Sequence, residues 1–220
     1  MKKRLLSLAL VLAMILSLGC TVLAASVNDY VDIPQNAWYR GAVDYVLQRG
    51  YMVGATNNQF NPEGAVTRAQ IAQIFYAMNG KPSAGKQPKF SDVSKDAWYA
   101  AAVNWAATFG VVSGYPDGSY HPMEFITRQQ LATILYKYAQ LKGYAAEGEG
   151  RGIGLGGYAD VQDVGSWAWE AMAWCVHKGV ISGSNIGLEP NAHATRAQIA
   201  AILRTLMKNV REYDFLSFMK

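Results

Sequence analysis

The chain has 220 residues and a mass of 24.0 kDa, is 51% hydrophobic and only 16% charged. That composition supports a packed core and excludes wholesale disorder. Lys and Arg number 20 against 16 Asp and Glu, a formal net charge of +4. Three of those bases are Lys2, Lys3 and Arg4, and residues 1–25 hold no acid, so the remainder carries 17 against 16, or +1. A near-neutral chain with scattered charges has no electrostatic footprint for nucleic acid. Three histidines and two cysteines exclude a Cys-rich zinc site and a disulfide scaffold, and no metal or cofactor is expected.

The first 25 residues read as a secretory signal. A basic start is followed by an apolar run from Leu5 to Leu18 and by small residues at the cleavage spacing, Val22 with Ala24 or Leu23 with Ala25. An uncleaved anchor, through which the chain would meet a membrane, and a lipid on Cys20 are the alternatives. Once the leader is gone, Cys175 is the only thiol left, and between Trp174 and Val176 it reads as a small buried hydrophobe.

Aligned with itself, the rest of the chain is one unit written three times. Each copy opens on an aromatic, a spacer and an aspartate: Tyr30-Val31-Asp32, Phe90-Ser91-Asp92 and Tyr158-Ala159-Asp160. A tryptophan follows (Trp38, Trp98, Trp167), then a segment bounded by glycines (50–54, 110–114, 179–183), a proline (Pro62, Pro122, Pro190) and Thr-Arg-x-Gln beginning at Thr67, Thr127 and Thr195. Aspartates and threonines alike are 60 and then 68 residues apart. The predicted organisation is a signal peptide over 1–25, repeats over 26–80, 90–142 and 158–210, linkers over 81–89 and 143–157, and a tail over 211–220. The connectors, rich in Gly and within 79–89 also in Pro and Lys, are expected to be exposed.

Within a unit the pattern predicts helix, turn-rich loop, helix. Trp38, Ala42, Tyr45 and Val46 recur at helical spacing, and Gly50, Gly110 and Gly179 stand where a left-handed residue ends a helix. A short hairpin is allowed in the loop. Thr67 with Gln70, Thr127 with Gln130 and Thr195 with Gln198 each fit a capping box that starts the second helix. Ile71, Ile74 and Phe75 then begin an apolar face that one helix pair cannot bury alone, although three can bury theirs together.

Arg68, Arg128 and Arg196 sit just inside a helix N-terminus, where a cation opposes the helix dipole. One such arginine reads as a surface stem packed on the core; three ask for a compensating anion, held by a guanidinium and free amides. Trp38, Trp98 and Trp167 are either core residues closing the first helix or platforms for the apolar face of a sugar, and one ring can serve both ends. Asp32, Asp92 and Asp160 read as caps or turn formers.

These motifs resemble a tandem of three S-layer homology domains, over about residues 28–210. The resemblance implies a mainly α fold in which three units form a pseudo-three-fold spindle around a central three-helix bundle. It implies a non-enzymatic, secreted module at the bacterial cell wall that binds a pyruvylated secondary cell-wall polysaccharide linked to peptidoglycan. A structural or adaptor subunit for other surface proteins is the alternative, and a wall-glycan hydrolase a third. The resemblance also places Asp32, Asp92 and Asp160 in ligand grooves with the arginines, the tryptophans, Gly54, Ser113, Gly114, Ser182 and Gly183. Three features depart from the family pattern: Gln70, Gln130 and Gln198 stand where it has Glu, Val53 replaces the serine in unit one, and the third loop is one residue short. Unit two carries the fullest signature. The expectation is therefore that a pocket built from Arg128 and the segment 113–114 binds most strongly, and that Arg128→Ala leaves stability nearly unchanged.

Overall fold

The computed structural model describes residues 25–85 and 89–218, with side chains to residue 209; the leader and Cys20 lie outside the described residues. Six helices carry the fold: α1 (Arg40–Gln48), α2 (Arg68–Met78), α3 (Ala100–Thr108), α4 (Arg128–Leu141), α5 (Trp169–His177) and α6 (Arg196–Phe218). Each unit is thus a short helix, a loop and a longer helix. Among the described residues there is no strand, and no helix is long and apolar enough to cross a membrane. The predicted tail is the C-terminal end of α6 rather than a separate segment.

The second helix of every unit starts on its capping box. The Thr67 hydroxyl accepts from Gln70 N while Gln70 Oε1 accepts from Thr67 N, and the same exchange occurs at Thr127–Gln130 and Thr195–Gln198. The first helix ends at Gly50, Gly110 or Gly179, at φ of 65°, 69° and 64°, a region L side chains disfavour.

Each loop closes a short turn on itself, with Ala55 N, Tyr115 N and Ser184 N donating to Gln59 O, Ser119 O and Gly187 O at 2.8 Å. The segments before the second helices pair between units. Val66 N donates to Ala194 O (3.2 Å), Ala194 N to Ile126 O (3.1 Å) and Ile126 N to Val66 O (2.9 Å), closing a ring of three backbone hydrogen bonds through three buried residues. The helices follow the same cycle: α2 packs on α3, α4 on α5, and α6 returns to α1. Each second helix therefore covers the first helix of the next unit, and the third unit closes on the first. The second helices of units one and two also touch, with the rings of Phe75 and Tyr138 4.7 Å apart.

The first connector is largely exposed, as expected, with Gly80, Lys81, Ser83, Gly85 and Lys89 at the surface, whereas the second packs Ala145 and Leu155 into the core. Four glycines at positive φ (Gly143, Gly148, Gly152, Gly157) fold 143–157 into tight turns. Glu149 pairs with Lys178 at 2.7 Å and Arg151 with Glu170 at 3.3 Å, and the Tyr136 hydroxyl lies within hydrogen-bond distance of both Ala146 O and Glu170 Oε1. The first connector is clamped by buried Asn104, which donates to Gly85 O and accepts from Lys89 N. Cys175 is buried too, its thiol pKa pushed up by desolvation, as suits a core residue.

Candidate functional site

Because the cycle interleaves the units, three grooves form, and each draws on all of them. The first is lined by segment 50–55 and α2, with Arg196 from unit three and Trp98 from unit two. The second is lined by segment 111–116 and α4, with Arg68 from unit one and Trp167 from unit three. The third is lined by segment 179–184 and α6, with Arg128 from unit two and Trp38 from unit one. Their volumes are about 540, 660 and 240 Å³. The expected partnership of Arg128 with residues 113–114 is therefore corrected: Arg128 meets Ser182 and Gly183, while Ser113 and Gly114 meet Arg68. Sequence order placed the arginine in its own unit, whereas the cycle hands it to the next.

The arginines hold the units together. Arg68 Nε donates to Tyr120 O at 2.8 Å and its Nη2 to Ser113 O at 3.0 Å. Arg128 does the same to Leu188 O and Ser182 O, at 2.8 and 2.9 Å, and Arg196 to Phe60 O and Val53 O, the former at 2.7 Å. Arg68 and Arg128 are each only 6% exposed. Burial pushes the pKa of Arg128 and Arg196 down, though neither approaches neutrality. The predicted free amides at the helix starts are also engaged. Arg68 N and Ala69 N donate to Glu124 O and Pro122 O, and the corresponding amides of units two and three reach Ala192, Pro190, Gly64 and Pro62. The helix N-terminus is consequently a seam between units, not an open anion site. The acceptor is a backbone carbonyl, so Val53 serves Arg196 as the serines serve the other two arginines.

The aspartates lie beneath the loops and do not line the grooves. Asp32 accepts from Phe60 N and Asn61 N, Asp92 from Tyr120 N and His121 N, and Asp160 from Leu188 N and Glu189 N, all at 2.6–2.9 Å. These bonds reach residues 28 or 29 positions away, so the aspartates tie the distant loop to the start of the unit and do not act as the local caps or turn formers expected from sequence. Each aspartate grips the N–H of the residue whose carbonyl receives an arginine. Burial raises the pKa of Asp160, but the backbone amides of Leu188, Glu189 and Asp160 itself, with the charge of Arg128, together leave the carboxyl below its usual range.

Gly54, Gly114 and Gly183 line the grooves for a steric reason. A Cβ on any of them would lie 2.4 Å from the ring of Tyr30, Phe90 or Tyr158, the aromatic that opens the unit. Two distant motifs are thus a ring and the space made for it. The tryptophans stand out from the core: Trp38, Trp98 and Trp167 are 70%, 60% and 60% exposed. Trp38 and Trp98 lean edge-on against Tyr39 and Tyr99 at 5.4 and 5.2 Å, which fixes the ring without covering its face. Sequence reading missed the apolar floor of Ile74, Ile134 and Ile202, the amides of Gln70, Gln130 and Gln198, and Lys137, whose Nζ donates to Ser113 Oγ at 2.8 Å. The floor was legible as core spacing. Lys137 was not, because the matching positions are Ala77 and Thr205.

A cyclic repeat protein whose units share three grooves, each with an exposed tryptophan and an arginine anchor, has the form of a binding module. The S-layer homology domain matches at residues 29–72, 89–132 and 157–200, and the chain belongs to that family. It is similar to the surface-layer 125 kDa protein of Lysinibacillus sphaericus, 32% identical over 85% of this chain and 15% of that protein. It is similar also to the cellulosome-anchoring protein of Acetivibrio thermocellus, 32% identical over 80% of this chain and 38% of that one. A third relative, exoglucanase XynX of Acetivibrio thermocellus, is 33% identical over 85% of this chain and 17% of the enzyme. The chain spans well under half the length of each of these relatives.

Proposed function

We propose that this chain is a secreted cell-wall anchoring module that holds its protein at the bacterial surface without catalysis. Its ligand is an acidic, pyruvylated secondary cell-wall polymer. The observation that carries the reading is the repeated pairing of an exposed tryptophan with an arginine-edged groove. A tryptophan face packs on the apolar face of a sugar ring, and an amide or hydroxyl fixes the ring's orientation. Each arginine spends two of its five N–H donors on carbonyls, so the remaining edge can meet a carboxylate. The closed cycle of contacts supports the pseudo-three-fold spindle that the family resemblance implies. It also makes Asp32, Asp92 and Asp160 indirect contributors, which shape the loops that the glycan touches.

The test is a pull-down of the purified full chain on cell-wall sacculi, before and after acid removes the attached polymer. Binding to intact sacculi and its loss from stripped ones is the expected result. Equal binding to both, or clearing of the suspension as a hydrolase would produce, overturns the proposal.

A further inference from the structure

The second groove differs from the other two. A further cavity of about 490 Å³, lined by Tyr136, Gln140, Ala145, Glu147, Arg151 and Glu170, shares Thr133, Lys137 and Trp167 with it. Its outer wall is the 143–157 connector, which exists only between units two and three. The two cavities therefore run on from each other, with Trp167 and Lys137 at the junction.

Lys137 is half-buried, held by the Ser113 hydroxyl, and no carboxylate pairs with it among the described residues. Burial alone pushes its pKa down, with no neighbouring charge to offset the desolvation. An ammonium kept partly dry beside an open groove is stabilised when an anion arrives. Beyond it lie the exposed Glu147 and the Arg151–Glu170 pair, which present acceptors and donors of the kind sugar hydroxyls and acetamido groups satisfy.

We propose that the second groove is a two-part trough for a stretch of acidic glycan, with Lys137 receiving the carboxylate at the junction and the connector cavity taking the adjoining sugar. This rests on the functional reading above and adds to it a longer ligand for one groove.

Titration calorimetry on the full chain carrying Trp38→Ala and Trp98→Ala isolates this groove. The probes are a pyruvylated N-acetylhexosamine and the same sugar extended by one neutral N-acetylhexosamine. The disaccharide is expected to bind about tenfold tighter than the monosaccharide. Adding Glu147→Ala and Arg151→Ala removes that gain and leaves monosaccharide affinity unchanged, whereas Lys137→Gln weakens both probes by about tenfold. A chain keeping only the first groove, through Trp38→Ala and Trp167→Ala, shows no gain. Equal affinities in the second groove, or the same gain in the first, overturn the two-part trough alone. Failure of the parent chain to bind either sugar overturns the functional reading with it.

Discussion

Each arginine of the Thr-Arg motif is a structural cation before it is a recognition residue. Its guanidinium replaces water with two carbonyls of a neighbouring unit, and charged hydrogen bonds of that kind contribute about 1.5–3 kcal/mol each. Arg128→Ala removes both bonds and leaves Leu188 O and Ser182 O without their donor. We therefore expect it to destabilise the fold by about 3 kcal/mol, read as a fall in the urea midpoint at unchanged slope. Arg128→Lys recovers only part, because an ammonium cannot reproduce the planar fork. A midpoint unchanged by Arg128→Ala would restore the view that this arginine serves the ligand alone. That view came from sequence because dipole reasoning registers where the cation sits on its own helix and not the carbonyls that another unit brings to it.

At the scale of the elements, most of the fold was legible. The capping boxes at Thr67, Thr127 and Thr195 rest on contacts within one turn, and the glycine stops rest on backbone sterics, so both are written locally. The connector 143–157 was not legible. Glycine permits tight turns as readily as freedom, and only the burial of Leu155 and the close approach of Gly150 to Glu170 O decide between them. The glycine of the groove loop is a similar case, since its requirement comes from a ring more than twenty residues away. Gly114→Ala would put a methyl 2.4 Å from both the Phe90 ring and Ser119 O. Such overpacking against backbone costs about 1–3 kcal/mol. Gly114→Ala should lower the thermal midpoint, and pairing it with Phe90→Leu should recover part of the loss. Gly118→Ala should not be rescued by Phe90→Leu, because its φ of 82° and open surroundings make any penalty one of backbone conformation. An equal rescue of both would show that the ring is not the cause.

For the whole molecule, the repeat was legible and its closure was not. Matching offsets establish three units but do not say which unit's arginine meets which unit's loop. The answer lies in the backbone ring of Val66, Ala194 and Ile126 and in the return of α6 to α1, contacts that join different repeats. Closure is also what makes the grooves composite, so that Arg68, segment 111–116 and Trp167 meet although each belongs to a different repeat. The central claim is that ligand enters these shared grooves beneath the exposed tryptophans. Two-dimensional NMR of the tryptophan indole N–H groups, during titration of the full chain with a pyruvylated N-acetylhexosamine, tests it most directly. Saturable shifts are expected at Trp38, Trp98 and Trp167, with the buried Trp105 and Trp174 left in place. Shifts confined to the buried pair, or none at any tryptophan while the sugar is bound, would contradict it.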